Sequence, residues 1–248
     1  MKYNYCLTLQ YDGTRYNGWQ RQGNTGSTIQ GLLEEKLSAI FGEAVDLKGS
    51  GRTDRGVHAQ EQIANFYAKK EVVPEILRKQ INLELPEDVR VNHIVLKPAD
   101  FHSRKSAKKK TYEYCIWNSV ERNVFYRNYA YDVEETLDLD RMKQAAQKLI
   151  GTYDFKGFSS LKESKKSTVR TIFDIEITRE KERIYIRYTG DGFLYHMVRI
   201  LTGTLIEIGK GSMEPGAVWK VIEEKERSAA GPTAPAQGLK LLKVYYER

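Results

Sequence analysis

The chain has 248 residues, 40% of them hydrophobic, enough apolar material for one large domain or two small ones and too much for wholesale disorder. Its 40 basic and 33 acidic residues leave a formal net charge of +7, which suits a polyanionic partner such as nucleic acid. No run approaches the roughly 18 apolar residues of a membrane span, and the start, Met1-Lys2-Tyr3-Asn4-Tyr5, has no signal-peptide core, so the expectation is a soluble cytoplasmic protein.

Tyr5 to Tyr11 alternates apolar and polar side chains and reads as a first strand, broken by Asp12-Gly13-Thr14. Gly18-Trp19-Gln20-Arg21-Gln22 follows, its Trp suited to plugging the edge of a core. Ser27-Thr28-Ile29-Gln30 has the pattern of a capping box. Ile29, Leu32, Leu33, Leu37, Ile40 and Phe41 then recur at helical spacing. Val45 to Lys48 predicts a strand, Ile63 to Ala68 another, Pro74 to Leu83 a second helix and Val89 to Leu96 a fourth strand. Strand, helix, strand, strand, helix, strand is the split βαβ order of ferredoxin-like units.

Between the second and third strands lies Gly49-Ser50-Gly51-Arg52-Thr53-Asp54-Arg55-Gly56-Val57-His58-Ala59-Gln60. Glycines let the backbone turn tightly and approach a ligand. Arg52 and Arg55 flank Asp54, and two guanidinium groups nearby would keep its carboxylate ionised, poised as nucleophile or base. The plain alternative is a turn capped by Asp54 with both arginines solvated.

Composition shifts at 101–110, where Arg104, Lys105, Lys108, Lys109 and Lys110 occur without an acid. The run leads into Thr111-Tyr112-Glu113-Tyr114-Cys115-Ile116-Trp117, and basic residues beside aromatics suit a phosphate backbone and a splayed-out base. Read blind, such a charge run is a solvated face. Leu139 to Ile150 predicts a helix ending at Gly151, and Asp154-Phe155 follows it. Leu161 to Arg170 reads as a basic surface loop. Thr171 to Thr178 and Arg183 to Thr189 read as an antiparallel pair. Leu194, Met197, Leu201, Leu205 and Ile208 form a helical stripe with Arg199 off it. Lys240 to Tyr246 is a last strand. Cys6 and Cys115 sit in separate apolar runs without metal-ligand spacing, and His196 has no second ligand spaced to share a metal, so no metal is expected. Nor is there a Walker or Rossmann pattern, so no cofactor is expected.

Five of these segments, in order along nearly the whole chain, resemble the tRNA pseudouridine synthase A (TruA) family. They are Tyr11-Asp12-Gly13-Thr14 with Gly18-Trp19-Gln20-Arg21-Gln22, Gly51 to Ala59, Phe101 to Tyr114, Phe193 to Arg199, and Ala234-Pro235-Ala236-Gln237-Gly238-Leu239. The resemblance implies an α+β fold of two ferredoxin-like halves, 1–100 and 101–248, whose antiparallel sheets form a central basic cleft. It implies a homodimer that isomerises uridine to pseudouridine in the tRNA anticodon stem-loop, at positions 38, 39 and 40. Asp54 is then the nucleophile, attacking C1′ or C6. Tyr112 stacks on the target base, Arg52 fills the space it leaves, Arg199 pairs with Asp54, and Leu239 lies in the site wall. Arg55, His58 and Arg104 hold phosphates and loop shape. Where the family often has Arg, this chain has Lys110, which loses the planar fork. Two other classes stay open on the residues alone. One is an RNA-binding module without catalysis. The other is a hydrolase with an Asp nucleophile, which wants a second carboxylate that the motif lacks.

Overall fold

A computed structural model describes residues 2–23, 26–161 and 167–247. In chain order the elements are β1 (Tyr3–Tyr11), α1 (Ile29–Phe41), β2 (Lys48–Gly49), β3 (His58–Ala68), α2 (Pro74–Glu84), β4 (Val89–Lys97), β5 (Lys109–Asn118), β6 (Tyr131–Val133), α3 (Leu139–Lys148), β7 (Gly151–Asp154), β8 (Val169–Glu180), β9 (Arg183–Gly190), α4 (Met197–Gly209), α5 (Ala217–Glu224) and β10 (Leu239–Tyr245). They group into two compact units, Met1–Lys108 with Lys240–Arg248, and Lys109–Leu239.

In the first unit β1 lies between β4 and β3, antiparallel to both. The edge of β3 is shared. Its residues His58 and Ala59 pair with β10 in parallel, and Ala64 and Asn65 pair with β2. Alternation in β1 sends Tyr5, Leu7 and Leu9 to full burial, as are Ile29, Leu33 and Leu37 of α1 and Leu77 and Ile81 of α2. Each such side chain contributes roughly 1.5–3 kcal/mol. Tyr5 packs on Phe41 and Phe66 at 5.5 and 5.2 Å. Thr28 caps α1 by accepting from the Gly31 amide at 3.2 Å, and Gly42, at φ 66°, ends it. The strand expected at 45–48 is only Lys48–Gly49. Val45 and Leu47 are buried as expected, but the Leu47 amide donates to the Glu34 carboxylate at 2.9 Å instead of joining a ladder.

In the second unit the strand order is β5-β9-β8-β7, with β6 beside β5 in parallel. Tyr112 faces Tyr188 across the β5–β9 ladder. Helix α4 is buried almost all round, through Met197, Ile200, Leu201, Leu205 and Ile208. It starts at Met197, three residues past the start of the expected stripe, because His196 before it is left-handed at φ 62°. The helix expected to reach Ile150 ends at Lys148, and Gly151, at φ 133°, opens β7. Of the basic segment 161–170, residues 162–166 lie outside the described residues. Among the described residues no helix is long and apolar enough to cross a membrane.

Candidate active site

Residues 50–57 join β2 to β3, and most of their fixed points are buried polar contacts. The Ser50 amide donates to Ile63 O at 2.7 Å. The Ser50 hydroxyl donates to Gln62 Oε1 at 2.6 Å, and Gln62 Nε2 donates back to Gly51 O at 3.0 Å. Thr53 is held twice. Its carbonyl accepts from the Trp19 amide at 3.0 Å, and its hydroxyl lies 2.8 Å from that of Tyr11. Burial pushes the Tyr11 phenol up to about 12, against smaller opposite effects of its bonds to Thr53 and Gln62. It is therefore a lasting hydroxyl partner at neutral pH. The Asp54 carbonyl accepts from Val57 N at 3.1 Å, which closes the turn.

Two glycines let the segment 12–19 press against this loop. A Cβ on Gly13 would meet Val57 O at 2.0 Å, and one on Gly18, already at φ 87°, would meet Thr53 O at 2.5 Å. The loop is thus clamped at Ser50, Gly51, Thr53 and Val57, while Asp54 itself is half-buried. Such over-determination is what holds a reacting group in place.

Of the other expected site residues of this unit, Arg52 and Arg55 are exposed. Arg52 Nε donates to Gln20 Oε1 at 3.0 Å. Gln20 donates to Gln30 at 2.7 Å, and Gln30 to Glu34 at 2.9 Å, so a chain of amides ties the guanidinium to α1. Arg104 reaches solvent from the segment between β4 and β5. Partial burial, and then the nearby Arg52 charge, hold its pKa below the ordinary arginine value. Two guanidinium groups near each other favour an anion between them. His58 is buried. Its Nδ1 accepts from the Gly13 amide at 3.0 Å and lies 3.1 Å from Asp12 Oδ1. This ring shapes the 12–14 turn against β3.

The second unit carries Tyr112, Arg199 and Leu239. Tyr112 is buried to 8% exposure on β5, its ring edge-on to Phe193 at 5.3 Å and 85°. Phe193 lies over Gly190, where a Cβ would come within 3.1 Å of its ring. Arg199 is half-buried near the start of α4. Its Nε donates to Ala234 O at 2.8 Å, and the Ala234 amide donates to Arg199 O at 3.0 Å. The segment leading to Leu239 is further fixed by the Tyr114 hydroxyl, which donates to Pro235 O at 2.7 Å. Gly203 admits that segment, since a Cβ there would meet Pro232 O at 1.8 Å. Leu239 is buried. The Asp154-Phe155 pair is an anchor. Phe155 is fully buried, and Asp154 accepts from the Thr168 hydroxyl at 2.6 Å and pairs with Lys225 at 2.9 Å.

A family model described as tRNA pseudouridine synthase matches residues 8–104 and 145–247. The chain belongs to the tRNA pseudouridine synthase family. Among its relatives, the tRNA pseudouridine synthase A of Caldicellulosiruptor bescii is 44% identical over 243 residues, covering 98% of this chain and 99% of that protein. The same-named protein of a Bacillus sp. is 47% identical over 238 residues, covering 96% and 97%. That of Acetivibrio thermocellus is 42% identical over 243 residues, covering 98% and 99%. A solved structure of a Cbf5-Nop10-Gar1 complex covers 91% of this chain and 60% of that chain at 13% identity, with a TM-score of 0.38, too low a likeness to speak for a shared fold. Pseudouridine synthases are isomerases, and this chain is one by descent.

Tyr11 and Gln20 fall in stretches that carry the family resemblance, whereas the supporting residues Gln30 and Gln62 fall outside them. Gln30 stands at the start of the expected first helix and Gln62 one residue before the expected strand at 63–68, where the pattern asks for no particular side chain. The one available signal is a glutamine or tyrosine hydroxyl at a position whose neighbours predict burial.

Proposed function

We propose that this enzyme isomerises uridine to pseudouridine in the anticodon stem-loop of tRNA, at positions 38, 39 and 40, with Asp54 as the nucleophile. The observation that carries the reading is the clamped 50–57 loop, which fixes the backbone at Thr53, Asp54 and Val57 and leaves Asp54 half-buried, with the exposed Arg52 and Arg55 beside it in the chain. The base is flipped out at a cost of about a few kcal/mol. Arg52 takes the vacated space, and Tyr112 stacks on the uracil. The Asp54 carboxylate adds to C1′ or to C6, the N1–C1′ bond breaks, and the uracil turns. C5 then bonds to C1′, the C5 proton leaves, N1 gains a proton and the carboxylate departs. The sum is an isomerisation, so no redox partner or activated donor enters. Arg199 pairs with Asp54, Leu239 walls the site, and Arg55 and Arg104 hold phosphates.

The finer architecture belongs to the same reading: two ferredoxin-like halves, acting as a cytoplasmic homodimer. The first half has support in the β4-β1-β3 order with β2 on β3. Mapping pseudouridine in an unmodified tRNA after incubation tests the position. Signal at 38, 39 or 40 is expected, and signal only in another stem overturns the assignment.

Two further outcomes follow. Phosphate contacts dominate binding, so tRNA affinity falls with salt at a log–log slope of about −0.7 to −0.9 per phosphate neutralised. A flat response in a filter-binding titration contradicts this. Activity also survives exhaustive dialysis against a chelator once the tRNA has been refolded. Loss restored only by a particular transition metal contradicts the mechanism.

A further inference from the structure

Asn65, on β3, has no exposed surface, and neither the family reading nor the mechanism uses it. An apolar side chain would suit such a place better unless the amide has partners, because a buried unsatisfied amide costs free energy. Here the partners lie in the basic segment. Asn65 Oδ1 accepts from the Ser103 amide at 2.9 Å, and its Nδ2 donates to Asn4 Oδ1 at 3.0 Å. Asn4, itself 2% exposed on β1, donates in turn to Pro98 O at 2.8 Å and Phe101 O at 3.0 Å. The two amides thus capture three backbone groups of a strap that carries no regular structure of its own. Residue 65 also faces Lys48 across the β2–β3 ladder, and the Ser103 hydroxyl donates to Lys48 O. Lys48 and Gly49 lead directly into the Asp54 loop. From the strap's other side the Tyr246 hydroxyl donates to Ser103 O at 2.7 Å.

We infer that Asn65 is a positioning residue that fixes the strap 98–106, and with it Arg104, in register with the Asp54 loop, so that an RNA phosphate held by Arg104 sits at a set distance from the nucleophile. The inference rests on the reading of Arg104 as a phosphate contact. Its physical content is that one fully buried amide of β3 holds the backbone of the strap at Ser103, beside the bond from the Ser103 hydroxyl to Lys48 O. Packing alone would not demand an amide. A captured backbone amide at Ser103, one residue before Arg104, does.

The test compares Asn65→Ala, Arg104→Ala and the double variant by steady-state kinetics on tRNA, with amide hydrogen exchange of the strap. Asn65→Ala is expected to raise the KM for tRNA about tenfold with kcat within about twofold, and to speed exchange at 101–106 more than in β1 or β3. In the Arg104→Ala background the same change should add less than about twofold, because its effect runs through that arginine. An equal KM increase in both backgrounds, or faster exchange spread evenly over the sheet, overturns the inference and makes Asn65 a plain core residue. An unchanged KM in Arg104→Ala instead removes the phosphate reading on which the inference stands. Should Asn65→Ala not fold, Asn4→Ala removes the two bonds to Pro98 and Phe101 and the one from Asn65 Nδ2 while leaving the Asn65 Oδ1 bond to Ser103 in place, and it is held to the same outcomes.

Discussion

Asp54→Asn is expected to fold, bind tRNA and fail to turn it over. Asn matches Asp in shape and still accepts hydrogen bonds, so the turn closed by the Asp54 carbonyl and Val57 N is undisturbed. Stability should change by less than about 1 kcal/mol, the scale of a lost cap interaction. The neutral amide cannot form the covalent bond to C1′ or C6, and turnover should drop to background. Binding should move the other way or stay. Removing a negative charge beside Arg52 and Arg55 does not weaken attraction for phosphates. If Asp54 were only a turn cap, the variant would retain most of its activity. A melting curve, a binding titration and a turnover assay on one preparation separate the two.

Gly18→Ala should cost a large part of the rate without touching a reacting atom. Gly18 has φ 87°, a region where any side chain is strained. Its added Cβ would meet Thr53 O at 2.5 Å, Asp54 C at 3.0 Å and Arg55 N at 3.2 Å. All three are backbone atoms and cannot swing aside as a side-chain tip would. The loop must shift, and a displacement of about 1 Å at a reacting group costs on the order of 100-fold in rate. Strain of this kind also costs about 1–3 kcal/mol of stability. Gly23→Ala is the control, since an added Cβ there meets none of the described residues within 4 Å. Near-wild-type single-turnover rates in Gly18→Ala would show that the 12–19 segment does not set the loop.

The helices and main strands were legible because their signals are local. Pro74 in a first turn and the alternation of Tyr5, Leu7 and Leu9 each specify an element within a few residues, and the expected capping box places the start of α1 to within one residue, although the cap is Thr28 and not Ser27. The departures have non-local causes. β2 is short because Glu34, thirteen residues upstream, takes the Leu47 amide. α4 starts late because His196 turns left-handed, with its Nδ1 3.0 Å from the Ser160 hydroxyl. That β10 pairs with the first residues of β3, and so groups with the first unit, follows from a chain return that no periodicity encodes. The same contrast holds at the site. Asp54, Arg52 and Arg55 stand out in a short motif. Gln62 and Asn65 bond to partners 11 and 38 positions away in the chain, and nothing in their immediate neighbours marks them.

The central claim is that the Asp54 carboxylate carries out the isomerisation. It is tested most directly by single-turnover product analysis with enzyme in excess over unmodified tRNA, for the unaltered protein and Asp54→Asn side by side. The account predicts pseudouridine and no free uracil from the unaltered protein, and unchanged uridine from Asp54→Asn, with mass spectrometry excluding deamidation back to Asp. Substantial pseudouridine from an intact Asp54→Asn preparation, or free uracil from the unaltered protein, would contradict it.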